Sequence, residues 1–322
     1  GGGGSKITVL KSAAKNLINT ILTQGGSNVK IGIVPFADYV NVGVGNRNQN
    51  WVSVPADYSV TNTTPAVPYT CTTVTTKQVC TKGAPKTCTS TTDGVVSTYD
   101  CTPQTCVQQP VTPYQSTVTN YKWFGCVQSR KTGELRLNDS EPTSPYPGFL
   151  GTSQRCLNPI VPLTSDKTVL TAAIDSLIIN IGGYKPSTYI PGGLIWGVNV
   201  LSPTAPFSEG KAYDTANKMP RKALVLMTDG ANTMYFRASD GTHQNATNNG
   251  HVTTTNNDTS KICEYAKSKK IEVFTVAFAV TDVAAKTMLQ GCASSSGHYY
   301  DATDSAALTA AFQSIGQSLT SL

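Results

Sequence analysis

The chain alternates short apolar runs with stretches whose apolar residues recur three and four positions apart, and the two patterns predict different elements. Ile7, Leu10, Ala14, Leu17, Ile18, Ile21 and Leu22 share one face of an amphipathic helix that Gly25-Gly26-Ser27 stops. The β-branched run at 29–36 then reads as a strand. A second helix, opened by Thr164 or Ser165 with Asp166 in its first turn, carries Leu170, Ala173, Ile174, Leu177 and Ile178. A third spans 193–201 and ends at Ser202-Pro203. Beyond it, 223–227 is the continuous apolar run of a strand covered on both faces. A helix around 260–269, a strand at 271–278, a helix at 282–289 capped by Thr281 and a short strand at 298–300 follow. The last helix has Leu308, Ala311, Phe312, Ile315 and Leu319 on one face. This alternation predicts an α/β fold with a largely parallel sheet.

From about Asn46 to Tyr121 the rhythm stops: Thr, Pro, Gln and Asn dominate, large aliphatics are few, and five cysteines (71, 80, 88, 101 and 106) appear. Such a stretch buries too little apolar surface to order itself, so disulfides must supply the constraint. It reads as a surface insertion of short strands and loops. The predicted organisation is a discontinuous α/β domain at 1–45 and 157–322, with a disulfide-bearing Thr-rich insertion at 46–156. Nine cysteines in 322 residues, without paired Cys-x-x-Cys spacing, point to an oxidising compartment. Cys263 falls in one helix and Cys292 just after the next, with one strand between, which predicts a disulfide across neighbouring helices. Cys126 and Cys156 flank a Pro- and Gly-containing loop and form the second predicted pair. The odd cysteine of the insertion stays free, bonds outside the chain or pairs with a segment upstream.

Charge adds little at this level. Lys and Arg exceed Asp and Glu by 25 to 19, and the excess forms no basic run, which gives no case for nucleic acid. No P-loop, nucleophile elbow or His-Glu-x-x-His helix is present, and Gly43-Val44-Gly45 is not a dinucleotide fingerprint. His243 and His251 fall in a polar Asn/Thr loop and His298 opens a strand, contexts that suit neither a nucleophile's base nor a metal. The expectation is a protein without catalysis.

Asp229, in Thr228-Asp229-Gly230, directly follows the buried strand, at the edge where open α/β sheets bind ligands. Thr188 lies upstream in a loop leading into a helix. With Lys11-Ser12-Ala13-Ala14-Lys15-Asn16-Leu17, Ile31-Gly32-Ile33-Val34-Pro35-Phe36, Pro162-Leu163-Thr164, Gly192-Gly193-Leu194-Ile195-Trp196-Gly197 and Gly291-Cys292-Ala293, these segments resemble a von Willebrand factor type A domain. The likeness is nearer still to the TadG-like proteins of bacterial Tad (Flp) pilus assembly.

The resemblance implies a doubly wound, Rossmann-like, mostly parallel sheet flanked by helices. It also implies a metal-ion-dependent adhesion site in which Mg²⁺ or a similar divalent cation is held by oxygen ligands. Thr188 matches the family's threonine ligand and Asp229 its aspartate. The Asp-x-Ser-x-Ser motif and the first central strand that bears it are expected upstream of Gly1, with a membrane anchor before them. The chain as it stands is therefore expected to bind Mg²⁺ weakly or not at all. The function implied is a binding and assembly module of an extracytoplasmic pilus or secretion apparatus, partnered by pilus-assembly or surface proteins. The alternative is a surface adhesin that contacts a host or matrix ligand through the insertion.

Overall fold

The amphipathic pattern that opens the chain folds as helix α1 (Gly3–Gly25) in a computed structural model that describes residues 3–25, 28–65, 76–92, 95–110, 114–141 and 143–321. The chain divides into a larger unit, Gly1–Asp57 with Tyr121–Leu322, and a smaller one, Tyr58–Asn120. The larger continues with β1 (Ile31–Ile33), β2 (Val40–Asn41) and β3 (Val52–Ser53). The smaller holds β4 (Tyr58–Pro65), β5 (Thr76–Lys82), β6 (Thr87–Thr92), β7 (Val95–Asp100), β8 (Gln104–Pro110) and the start of β9 (Tyr114–Val127). The larger resumes with the end of β9, then β10 (Tyr146–Gly151), β11 (Val161–Thr164), α2 (Lys167–Asp175), α3 (Ile190–Leu201) and β12 (Ala223–Thr228). Next come β13 (Met234–Phe236), β14 (His243–Asn245), α4 (Asn249–Ser268), β15 (Glu272–Phe278), α5 (Val283–Cys292), β16 (Tyr299–Ala302) and α6 (Ser305–Thr320).

The larger unit is a mixed α/β structure. Strands β12, β15 and β16 form a parallel ladder in that order, with Ala223 opposite Glu272 and Thr275 opposite Tyr299. Side chains alternate across a strand, and β15 shows what that does here. Val273 and Ala277 enter one apolar cluster with α3, α4 and α5, while Phe274, Val276 and Phe278 enter another with α1, α2 and α6. The ladder is thus covered on both faces, as the continuous apolar runs require. Strand β1 pairs antiparallel with β11 in a separate sheet, and among the described residues β12 has a ladder partner only in β15. Helix α3 can approach the segment that follows β1 closely because Gly193 carries no side chain; a Cβ there would stand 2.2 Å from the Phe36 ring.

The expected limits of the insertion need correcting. Residues 46–57 and 121–156 belong to the larger unit, because they carry apolar and charged groups that its core uses. Trp51 packs with Trp196 and Phe207, and Tyr146 with Trp196. Arg130, 1% exposed, donates to the carbonyls of Leu135, Asn138 and Ser140 and so holds their loop. Arg136 forms a two-pronged pair with Asp258 of α4 at 2.8 and 2.9 Å. Only the Thr-rich part remains in the smaller unit, where β5 pairs with β8 and β6 with β7 in antiparallel ribbons whose described residues are almost all exposed.

Several element ends also differ from expectation. Asp166 itself caps α2, accepting from the N–H groups of Thr168 and Val169, and Thr164 instead accepts from the Asp166 N–H. Asp282, not Thr281, caps α5. Helix α4 begins at Asn249, taking in His251 and the Asn/Thr stretch read as loop. Its Thr residues help explain this: Thr253, Thr254, Thr255 and Thr259 each donate to the carbonyl four residues earlier, an option that makes threonine compatible with a helix. His298 lies in a 3-10 turn before β16 rather than in the strand.

Candidate functional site

The apolar run of β12 ends at Thr228, whose hydroxyl donates to the Gly230 carbonyl at 3.0 Å and accepts from the Gly230 N–H at 3.3 Å. This tight turn leaves the Asp229 carboxylate exposed at the carboxyl end of the ladder. Lys6 Nζ, from α1, lies 3.4 Å from Asp229 Oδ2 and 5.7 Å from the centre of the Phe278 ring. An exposed pair of this kind contributes at most about 1 kcal/mol. Its chemical meaning is larger: the carboxylate already faces a cation supplied by the chain.

Thr188 sits in the loop before α3. Its N–H donates to Thr233 Oγ1 at 2.8 Å, and its carbonyl accepts from the N–H groups of Thr233 and Met234 at 2.9 and 3.1 Å. Beside it, Asn232 is 2% exposed; its Oδ1 accepts from Ile190 N–H at 2.8 Å and its Nδ2 donates to Asn256 Oδ1 at 2.9 Å. The first satisfies an N–H that has no partner within the helix. The loops bearing Thr188 and Asp229 are therefore tied together and to α4. Neither Asn232 nor Thr233 stood out in the sequence, because an Asn and a Thr after a strand read as ordinary turn residues.

Among the described residues, no three His, Cys, Asp or Glu side chains gather where they could hold a metal ion. Mg²⁺ demands near-octahedral oxygen coordination. One exposed carboxylate paired with an ammonium does not meet that demand, so the described residues do not fit a divalent cation at Asp229.

The structure joins Cys126 to Cys156 and Cys263 to Cys292. It also joins Cys80 to Cys106, which are opposite each other in the β5–β8 ribbon, and Cys88 to Cys101. Cys71 lies outside the described residues.

The histidines hold positions that a loop reading did not anticipate. His243 is stacked between Tyr39 and Tyr189, with ring centres 4.8 and 3.8 Å away. Its Nδ1 meets the Asp38 carbonyl, which can only accept, so the proton sits on Nδ1 and Nε2 accepts from Ser129 Oγ at 2.8 Å. Burial drives its pKa down to about 4. The neighbouring cavity, lined by Ser129, Arg136, Tyr146 and His243, has a volume of about 10 Å³, room for one water and no substrate. His298 instead joins a polar row: Ser295 Oγ lies 2.6 Å from Nδ1 and Glu272 Oε1 2.8 Å from Nε2. The other Glu272 oxygen accepts from Arg221 Nε and Nη2 at 3.0 and 2.8 Å, which neutralises the carboxylate.

No family model matches the chain, and no curated protein does. Among solved structures, the pilus adhesin SpaC from Lactobacillus rhamnosus GG is similar over 98% of this chain and 28% of its own, at 12% identity and a TM-score of 0.44. Its open conformation gives 99%, 29%, 13% and 0.43. The vWF domain of the type V pili tip protein Mfa5 from Porphyromonas gingivalis is similar over 49% of this chain and 74% of its own, at 15% identity and a TM-score of 0.33. The chain spans less than a third of SpaC, and likenesses at these scores do not define a fold.

Proposed function

We propose that the chain is a non-enzymatic binding and assembly module of an extracytoplasmic, Tad-type pilus or secretion apparatus, engaging protein partners at the carboxyl end of the β12–β15–β16 ladder. The observation that carries this reading is the pair of loops at that edge, bound to each other through Thr188, Asn232 and Thr233. They present Asp229 on a rigid support, as a recognition surface requires. Four disulfides support an oxidising compartment. The sequence resemblance supports the pilus setting, together with a single doubly wound sheet, an intact metal site and a membrane anchor in a longer protein. For this chain the reading includes no tight Mg²⁺ binding. Titration calorimetry should give no saturable heat, and micromolar affinity would overturn that part. Ester hydrolysis lost in Ser295→Ala would overturn the non-enzymatic reading.

A second reading makes residues 58–120 an adhesive module, favoured by their exposed ribbons and two disulfides of their own. Replacing them with a short Gly/Ser linker separates the two. Lost assembly supports the module, while normal assembly with lost adhesion supports the adhesin.

A further inference from the structure

The cationic excess that is thinly spread along the sequence is gathered by the fold. The parallel register sets Ala223 opposite Glu272, and Glu272 N–H donates to the Lys222 carbonyl at 2.9 Å. The segments leading into β12 and β15 therefore lie side by side, at the end of the ladder away from Asp229. Residues 211–222 and 267–272 together hold seven Lys or Arg (211, 218, 221, 222, 267, 269 and 270) and two acids, Asp214 and Glu272, in a chain of net charge +6. An open cleft of about 560 Å³ lies among them, lined by Arg221, Lys267, Lys270, Glu272, His298 and Asn217, among others.

The state of each charge decides what the cleft can hold. Among the described residues Glu272 is the only carboxylate in its lining, and it is already engaged by Arg221 and His298. Lys267 Nζ donates to the Gly291 carbonyl at 2.8 Å, a neutral acceptor that leaves its charge uncompensated. Lys270 Nζ has no hydrogen bond or ion pair among the described residues. The backbone of Lys270 is itself unusual. It terminates α4 with Ile271 N–H on the Ala266 carbonyl and its own N–H on the Lys267 carbonyl, at a φ of 64°. Glycine ordinarily occupies that position, so a lysine there holds an exposed cation at the cost of backbone strain.

We propose that this cleft docks an acidic segment of a protein partner, with Lys267 and Lys270 receiving its carboxylates and Arg221 and His298 flanking them. The lining suits a peptide better than a membrane or a nucleic acid. Its apolar members are Ala216 and Ile271, the latter 2% exposed, so the lining itself presents no large apolar side chain to lipid; Met219, 89% exposed, lies outside it. Among the described residues no Phe, Tyr or Trp lines it for a base to stack on. Thr215 and Ser294 offer hydroxyl groups of the kind a peptide backbone can hydrogen-bond, while the Asn217 side chain is engaged by the Lys222 backbone.

The test is fluorescence anisotropy with labelled hexaglutamate and the full chain. The labelled glutamine hexamer, heparin and phosphatidylglycerol vesicles serve as competing arms. Hexaglutamate should bind saturably and more weakly as salt rises, and the glutamine peptide should not bind. Lys267→Gln with Lys270→Gln should weaken binding about tenfold, Lys270→Gly severalfold with the fold intact by circular dichroism, and Lys77→Gln not at all. Equal affinity in the Lys267/Lys270 variants overturns the proposal. Vesicle binding without peptide binding assigns the cleft to a membrane, and heparin binding more than tenfold tighter than hexaglutamate assigns it to a sulfated polysaccharide; each also overturns it.

Discussion

At the scale of the residue, His243 couples stability to pH. Its imidazole takes a proton near the ordinary 6.5 in the unfolded chain but only at about 4 in the folded one, because burial between Tyr39 and Tyr189 disfavours the charge. Between those values the unfolded chain binds more protons, so stability is present above the window and is lost as pH falls through it. The loss approaches roughly 3 kcal/mol at the low end. Asp38 acts in the opposite sense, since burial raises its carboxyl, so the comparison must isolate the histidine. Urea midpoints at pH 7 and 4.5 should diverge more in the native chain than in His243→Gln; equal divergence would show that His243 is not the cause. None of this was legible in the sequence, where a histidine among Asn and Thr looks solvated. The packing that buries it comes from distant segments, with Tyr189 on one face of the ring and, more than two hundred positions earlier, Tyr39 on the other and Asp38 at Nδ1.

At the scale of the element, the period of apolar residues located most helices and strands, because burial of one face governs both. The ends were less legible, because several side chains near each end can serve as a cap. Asp166 and Asp282 were both adjacent to the caps expected. The end of α4 gives a quantitative case. Lys270→Gly should remove the strain of a left-handed lysine, about 1 kcal/mol, but lose part of it to the greater freedom of glycine when unfolded. A net gain near 0.5 kcal/mol, read as a higher urea midpoint, is expected. A lower midpoint would mean that the lysine side chain stabilises the fold by contacts of its own.

At the scale of the whole molecule, composition revealed the Thr-rich insertion but overstated its extent. Residues 121–156 look polar and irregular, yet Arg130, Arg136 and Tyr146 anchor them in the core. Arg136 finds its partner on α4 and Tyr146 on α3, so only the assembled unit shows which side this segment belongs to. Likewise, two ordinary lysine-containing stretches became one charged surface only through the register of β12 and β15.

The Cys126–Cys156 bond has a mechanical consequence. The chain enters the larger unit at Tyr121 and reaches Cys126 within β9. Tension applied from the side of the smaller unit would peel residues 121–126 and then pass through the sulfur bridge to residue 156. The 30-residue separation between the two cysteines is thereby shielded from the load. Single-molecule stretching of the oxidised chain should therefore lack a segment of contour length that reduction releases, about 100 Å at the reach of an extended backbone. Under such a pull the larger unit would yield by a few residues and then hold at the sulfur bridge.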